Sequence, residues 1–342
     1  MFLLCNQPSF VSNMKILIIL ASAILAATAL SIDQQWNQFK ITHKKSYETP
    51  EEEQLRYKIY QDNVEKINRH NSRYEAGLES YTMAANKFAD LTKQEFHDLI
   101  SSSRPGSFQD FEFEKHVPDE SIPLPDEIDW RIKDKAVLPV RNQVKCSAGW
   151  AFSVAGALEG QNAIKNNVRT PISEQQLIDC DQSNQGCKNG STVANAWQYA
   201  VKNGLASEYD YPYRSYETTC QAQNNPIVKP KKIVTLGKTE DDLHQAVGTV
   251  GPISAGIYFG ELQFYSSGVF LDPIACPSDE STLDHDVLVV GYGSQTEIWN
   301  LKKYYWIIKN SWGQDWGEGG YFRLARNQNQ CGIALRCSYP VL

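Results

Sequence analysis

The chain has 342 residues, enough for one large domain or two modest ones. Apolar residues make up 42% and charged residues 21%, the balance of a globular protein and not of a disordered one. A formal net charge of −7 argues against a nucleic-acid partner, and eight cysteines with eight tryptophans suggest a secreted or lumenal protein.

Met14 to Leu30 has a short basic start, an apolar run and the small-residue site Ala27-Thr28-Ala29. It reads as a signal peptide over residues 1–30, started at Met14 and too short for a membrane span. No membrane association is expected once it is removed. Residues 33–100 are polar and helix-rich. Glu52, Arg56, Tyr60, Asn63, Ile67 and Asn71 recur at spacings of three and four, on one side of a long helix. This series resembles the interspersed Glu-Arg-Phe-Asn-Ile-Asn motif of cathepsin L-type propeptides, with Tyr60 in the Phe place. Ala84-x-Asn86-x-Phe88-x-Asp90 resembles their second motif, with Ala84 for Gly. The resemblance implies a helical inhibitory prodomain over 31–100 that threads the cleft of the following domain. Residues 101–123 lack a clear period and read as an exposed, cleavable linker. Leu124-Pro125-Asp126-Glu127-Ile128-Asp129-Trp130 resembles a mature N-terminus, which places the last domain at 124–342.

Within that domain, a polar turn at Arg141–Ser147 runs into an apolar helix from about Gly149 through Leu158 and Ile164. A helix N-terminus offers free N–H groups and a positive dipole end, which favour a thiolate or an oxyanion. Ser173 with Gln176 predicts a capping box for a second short helix, and residues 192–202 a third. Beyond about 231 the apolar runs shorten. Ile253–Tyr258, Val287–Tyr292, Tyr304–Lys309 and Tyr321–Ala325 are predicted strands. Helices first and strands later predict an α+β protein with two lobes. Gly237-Lys238-Thr239 lacks the upstream glycine of a phosphate loop, and Thr239 is expected to cap a helix.

Gln143-x-x-Cys146-x-x-Gly149-Trp150-Ala151-Phe152-Ser153 resembles the nucleophile segment of papain-type cysteine proteases, the cathepsin L branch in particular. Leu283-Asp284-His285-Asp286 before a Val-rich strand and Gly291-Tyr292-Gly293 resembles the family's histidine strand. Lys309-Asn310-Ser311-Trp312-Gly313 with Trp316-Gly317 is the longest match. The resemblance implies a two-lobed papain-like fold, a helical lobe plus a β-barrel-like lobe. It assigns Gln143 to the oxyanion hole, His285 to the general base, Asn310 to orienting that histidine and Trp312 to shielding their bond. The attacking cysteine is replaced by Gly149. Its neighbour Ser147 is expected to point elsewhere.

Seven cysteines lie beyond residue 124. Any six allow 15 pairings. The family pattern implies Cys146–Cys187, Cys180–Cys220 and Cys276–Cys331, with Cys337 left as a small buried thiol. No Cys-x-x-Cys pair is present and only His244 and His285 lie in this domain, so no metal or cofactor site is expected. Asn189, Gly190 and Ser191 form a glycosylation sequon in a loop where relatives have Gly for Asn189 and pair with bound peptide. Asp284 and Asp286 flank the histidine. Asp286 stands where relatives carry a small residue in the main specificity pocket, where a carboxylate would prefer a basic side chain. Together these features imply a secreted or lysosomal protein, monomeric and proteolytically inactive, that binds peptides, its own propeptide or cystatin-like inhibitors. The alternatives are an active endopeptidase, if Gly149 is a variant, and a stored scaffold protein.

Overall fold

The computed structural model describes residues 30–101, 108, 111–188, 191–274, 276, 277, 279–296 and 302–342. The signal-peptide expectation lies outside these residues, as do Asn189 and Gly190. The chain divides into two compact units, one ending at Gln61 and one running from Asp62 to Leu342.

In the first unit, α1 (Ile32–Thr42) opens with a capping box between Ser31 and Gln34. Trp36 stacks on Phe39 at 5.5 Å, and Tyr60, at the start of the motif's apolar side, sits 5.2 Å from Trp36 and 4.9 Å from Phe39. The Tyr60 ring thus packs against both aromatic rings. It comes from α2 (Pro50–Glu75), which runs through the division at Gln61.

The second unit explains the rest of that motif. Asn63 donates to the Ala89 and Leu91 carbonyls, each at 2.9 Å. Asn71 exchanges two bonds with the Met83 backbone at 2.8 and 2.9 Å. The two asparagines thus hold β1 (Tyr81–Met83) and the turn before α3 (Lys93–Ile100). Thr92 and Glu95 cap α3 reciprocally.

Beyond the short strands β2 (Glu114–Lys115) and β3 (Ile128–Asp129), the helices come first: α4 (Gly149–Asn166), α5 (Glu174–Cys180) and α6 (Val193–Asn203). α4 is rich in small and apolar residues and is buried nearly all round, Glu159, Gln161 and Asn162 included. Gly156 lets Leu288 approach to 2.9 Å of where a Cβ would stand. The remaining elements are β4 (Lys232–Thr235), α7 (Glu240–Thr249), β5 (Ile253–Ile257), β6 (Tyr265–Phe270), β7 (His285–Thr296), β8 (Lys302–Lys309), β9 (Tyr321–Ala325) and β10 (Cys337–Val341). Hydrogen bonding runs in the order β1-β6-β9-β8-β7-β5-β10-β4-β2, with β3 on β7.

Several expectations need correction. The Ser173 cap is present, accepting the Gln176 N–H at 3.0 Å, but Gln176 does not reach back. Its amide is buried and bridges Tyr199 and the Gly204–Ala206 backbone instead. The linker is not free throughout: Glu114–Lys115 pairs in parallel with β4, and His116 bonds Tyr339 and Gln245. Thr239 caps α7 as expected, while β4, β6 and β10 were not foreseen. Each is short or broken by serine, glycine or proline, and tertiary pairing decides it.

Candidate active site

The N-terminus of α4 is the floor of the site. Ala148 supplies no capping side chain, so the first N–H groups of the helix stay open. The loop before it is fixed on both sides. Cys146 is bonded to Cys187, and the Gln143 backbone accepts from Tyr213 and donates to Ser311. The Gln143 amide is held by Ser311 Oγ at 2.6 Å and donates to the Cys146 carbonyl at 3.0 Å. One amide hydrogen remains beyond that bond.

His285 opens β7 opposite Ile257, and Asn310 follows the end of β8, which pairs Leu288 with Lys309. This register brings His285 Nε2 to 3.0 Å from Asn310 Oδ1. The Ser311 N–H also donates to that oxygen, which fixes the amide as the acceptor. Nε2 therefore carries the proton, and the neutral ring turns its free Nδ1 to Gly149. Burial lowers the imidazole pKa, with the Asn310 bond opposing. Trp312 and Phe259 lie 5.3 and 5.1 Å from the ring, and water is excluded from it.

His285 and Asn310 are thus brought together beside a residue that has no side chain. A Cβ on Gly149 would stand 2.7 Å from His285 Cε1 and 2.8 Å from Nδ1. The ring fills the space a nucleophilic side chain would need. Among the described residues, Cys146 is oxidised, Cys337 donates to the Ile333 carbonyl with its thiol pushed up by burial, and Ser153 bonds Ser254 and Val287.

Residues 87–100 lie across these groups. Phe88 and Phe96 meet Trp312 edge-on at 5.2 and 5.3 Å. Lys87 donates to the Trp312 carbonyl. His97 Nε2 is 3.6 Å from Asp284, whose carboxyl accepts from Phe259 N–H and is pushed up to about 6 by burial. The Ile100 backbone lies against His285, and Ser147 donates to the Leu99 carbonyl at 3.0 Å.

Asp286 corrects the pocket expectation. It neither faces solvent nor offers a free carboxylate to a basic ligand, because Arg336 pairs with it at 3.0 Å and both side chains are buried. Gly256, cross-strand from Asp286, admits the guanidinium, since a Cβ there would stand 2.6 Å from Nε. The sequence carried no signal for Arg336, 50 residues away. Ser191 is buried, with its Oγ committed to Gln185 N–H. Cys180–Cys220 and Cys276–Cys331 are bonded. Among the described residues no acid, His or Cys cluster is placed to hold a metal ion, and no helix is long and apolar enough to cross a membrane.

Residues 124–341 match the family model described as papain family cysteine protease. The chain belongs to that family. Residues 36–96 match the cathepsin propeptide inhibitor domain. The chain is 43% identical to a cathepsin L-like proteinase of Phaedon cochleariae, over 96% of this chain and all of that one. It is 41% identical to human cathepsin L2, over 91% and 92%. The fold matches the digestive procathepsin L 3 of Tenebrio molitor larval midgut with a TM-score of 0.83 at 41% identity, covering 92% of this chain and all of that one. The papain-like α+β fold preceded by a propeptide is thereby shown.

Behind this papain-family cleft is a charge cluster the sequence did not reveal. Arg141 lies 2.7 Å from Glu159, 2.5 Å from Glu174 and 3.5 Å from Glu208, beside buried Lys309. Burial outweighs the guanidinium and pushes Glu174 up to about 8. A raised carboxyl stabilises the fold fully below its unfolded value and loses that contribution as pH rises through about 8. Lys309, lowered by burial, pulls the other way. The test is therefore the difference between wild type and Glu174→Gln. Wild type should lose stability relative to the variant between pH 5 and 9, on the order of a few kcal/mol, read from thermal midpoints. Parallel profiles would contradict it.

Proposed function

We propose that the chain is a cathepsin L-like proenzyme homologue without peptidase activity, whose cleft binds peptide and does not cut it. The observation that carries this reading is Gly149 at the start of α4, with the His285 ring closed onto it. Covalent acyl transfer needs a nucleophile within reach of the base. In this reading Gln143, His285, Asn310 and Trp312 keep their family places, with residues 31–100 as prodomain, 101–123 as linker and 124–342 as the peptidase-fold domain. The protein enters the secretory pathway, acts as a monomer outside the cell or in the lysosome, and needs no cofactor. Its partners are its own prodomain, peptides and cystatin-like inhibitors.

The purified full chain is incubated at pH 4–5, with a thiol-directed peptide inhibitor added in a parallel sample. It is expected to stay full length and unlabelled in the cleft. Self-processing to a product starting near Leu124, or covalent labelling near residue 149, would overturn the reading.

A further inference from the structure

Val144 stands in the loop that leads to α4 with a φ of 56°. A left-handed backbone crowds any residue that has a Cβ, and a β-branched residue there is an outlier. The turn imposes the conformation. Cys146 N–H donates to the Gln143 carbonyl at 3.1 Å, which makes Val144 the second residue of a four-residue turn, and Val144 N–H donates to Asn142 Oδ1 at 3.0 Å. The turn is also anchored from outside, through Gln143 N–H to the Ser311 carbonyl and through the Cys146–Cys187 bond. A positive φ at its second position suits Gly, Asn or Asp, any of which would hold the same turn with less strain.

Packing within the chain does not offset this strain. Gln143 and Cys146 are 2% and 1% exposed, whereas Val144 between them is 50% exposed. That exposure is present with residues 87–100 lying across the site, so the resident segment leaves the side chain open. Its place in the fold is definite. Asn142 bridges to Trp312, and Gly313 N–H donates to the Arg141 carbonyl at 2.9 Å. The turn therefore runs beside the Trp312 segment, at the rim of the candidate site. A β-branched side chain has little freedom about χ1, so the two methyl groups are presented there in a fixed direction.

We infer that Val144 is a specificity-determining residue of the cleft, an apolar rim contact for a large apolar side chain of the bound peptide. This rests on the reading of the cleft as a peptide-binding site, and it narrows the ligand class to peptides with a leucine- or phenylalanine-sized residue where the chain crosses the 143–146 turn. A glycine at position 144 would fit the turn better and offer that side chain nothing.

The test uses wild type, Val144→Gly and Val144→Ile. Each full chain is folded, its linker is cut with an added protease, and the prodomain is removed. The probes are fluorescein-labelled octapeptides of alanine with leucine at each position in turn, read by anisotropy. At one position leucine is expected to tighten binding to the wild type by about fivefold, the yield of covering half a valine side chain. Val144→Gly should lose that gain at that position alone, and Val144→Ile should keep it. The intact chains are also unfolded in urea. With the strain relieved, the folding equilibrium constant of Val144→Gly should rise about threefold. A fall would show that the fold itself uses the side chain, and would overturn the inference. So would an equal loss of binding at every position, which would mean that the loop had moved. An unchanged leucine gain in Val144→Gly would overturn the inference and leave the peptide-binding reading intact. Failure of the wild type to bind any of the peptides would overturn both.

Discussion

Replacing Gly149 by Cys is expected to convert a silent protein into one that hydrolyses peptides once the prodomain is removed. On the proposed roles the base is already oriented: Asn310 Oδ1 accepts from Nε2 at 3.0 Å, and Nδ1 lies on the side facing residue 149. The new thiol would stand at the start of an 18-residue helix with open N–H groups, where a thiolate is favoured. Steric room is the one obstacle. His285 Cε1 lies 2.7 Å from the new Cβ, so the ring must withdraw by roughly 1 Å to reach ordinary contact. The two nearest atoms belong to the His285 ring, which can turn about its own bonds, and the third, the Asp286 backbone oxygen at 3.1 Å, must give by a few tenths of an ångström. The expected gain follows the loss seen when serine peptidases lose a triad member, about 10⁶ in turnover, less whatever the displaced ring costs. A gain of at least about 10⁴ in peptide hydrolysis is predicted. A Gly149→Cys protein that folds, sheds its prodomain and remains silent would show that the cleft has diverged beyond its nucleophile.

Position 149 was legible because its surroundings are local in sequence. Trp150 to Ser153 continue an apolar helix, and the break in the pattern falls on one residue. His285 and Asn310 stood out through the resemblance to the papain family, each beside a strand whose apolar run is readable. The interspersed motif was equally readable: Asn63 proves to hold the turn that precedes α3, and Asn71 the end of β1. What escaped reading is long-range. Arg336 meets Asp286 only because β10 and β7 both pair with β5. Arg141, Glu159 and Glu174 look like ordinary surface charges in sequence and meet only in the folded interior. Ser147 pointed away from the chemistry, as expected, but its acceptor was set by where α3 ends.

The second large effect is on stability. Asp286→Ala should destabilise the protein by about 3–5 kcal/mol, the range for removing one partner of a buried ion pair. The carboxylate faces Arg336 with neither side chain open to water. Its loss removes a counter-charge from a buried guanidinium, and Gly256 beneath it supplies no polar side chain. Replacing both residues by apolar ones should cost far less, since both charges then leave together. Urea unfolding followed by tryptophan fluorescence measures the difference. If Asp286→Ala costs under about 1 kcal/mol, the pair is solvated and the cleft wall is open there.

The central claim is that this cleft binds peptide and leaves it intact. The most direct test cuts the linker of the folded wild-type protein with an added protease and then removes both that protease and the prodomain. A fluorescent peptide is offered, and its anisotropy and mass are followed together. The account predicts a bound peptide recovered uncut, beside a Gly149→Cys sample that cleaves it. Turnover of the peptide by the wild type at a rate comparable to the cysteine variant would contradict it.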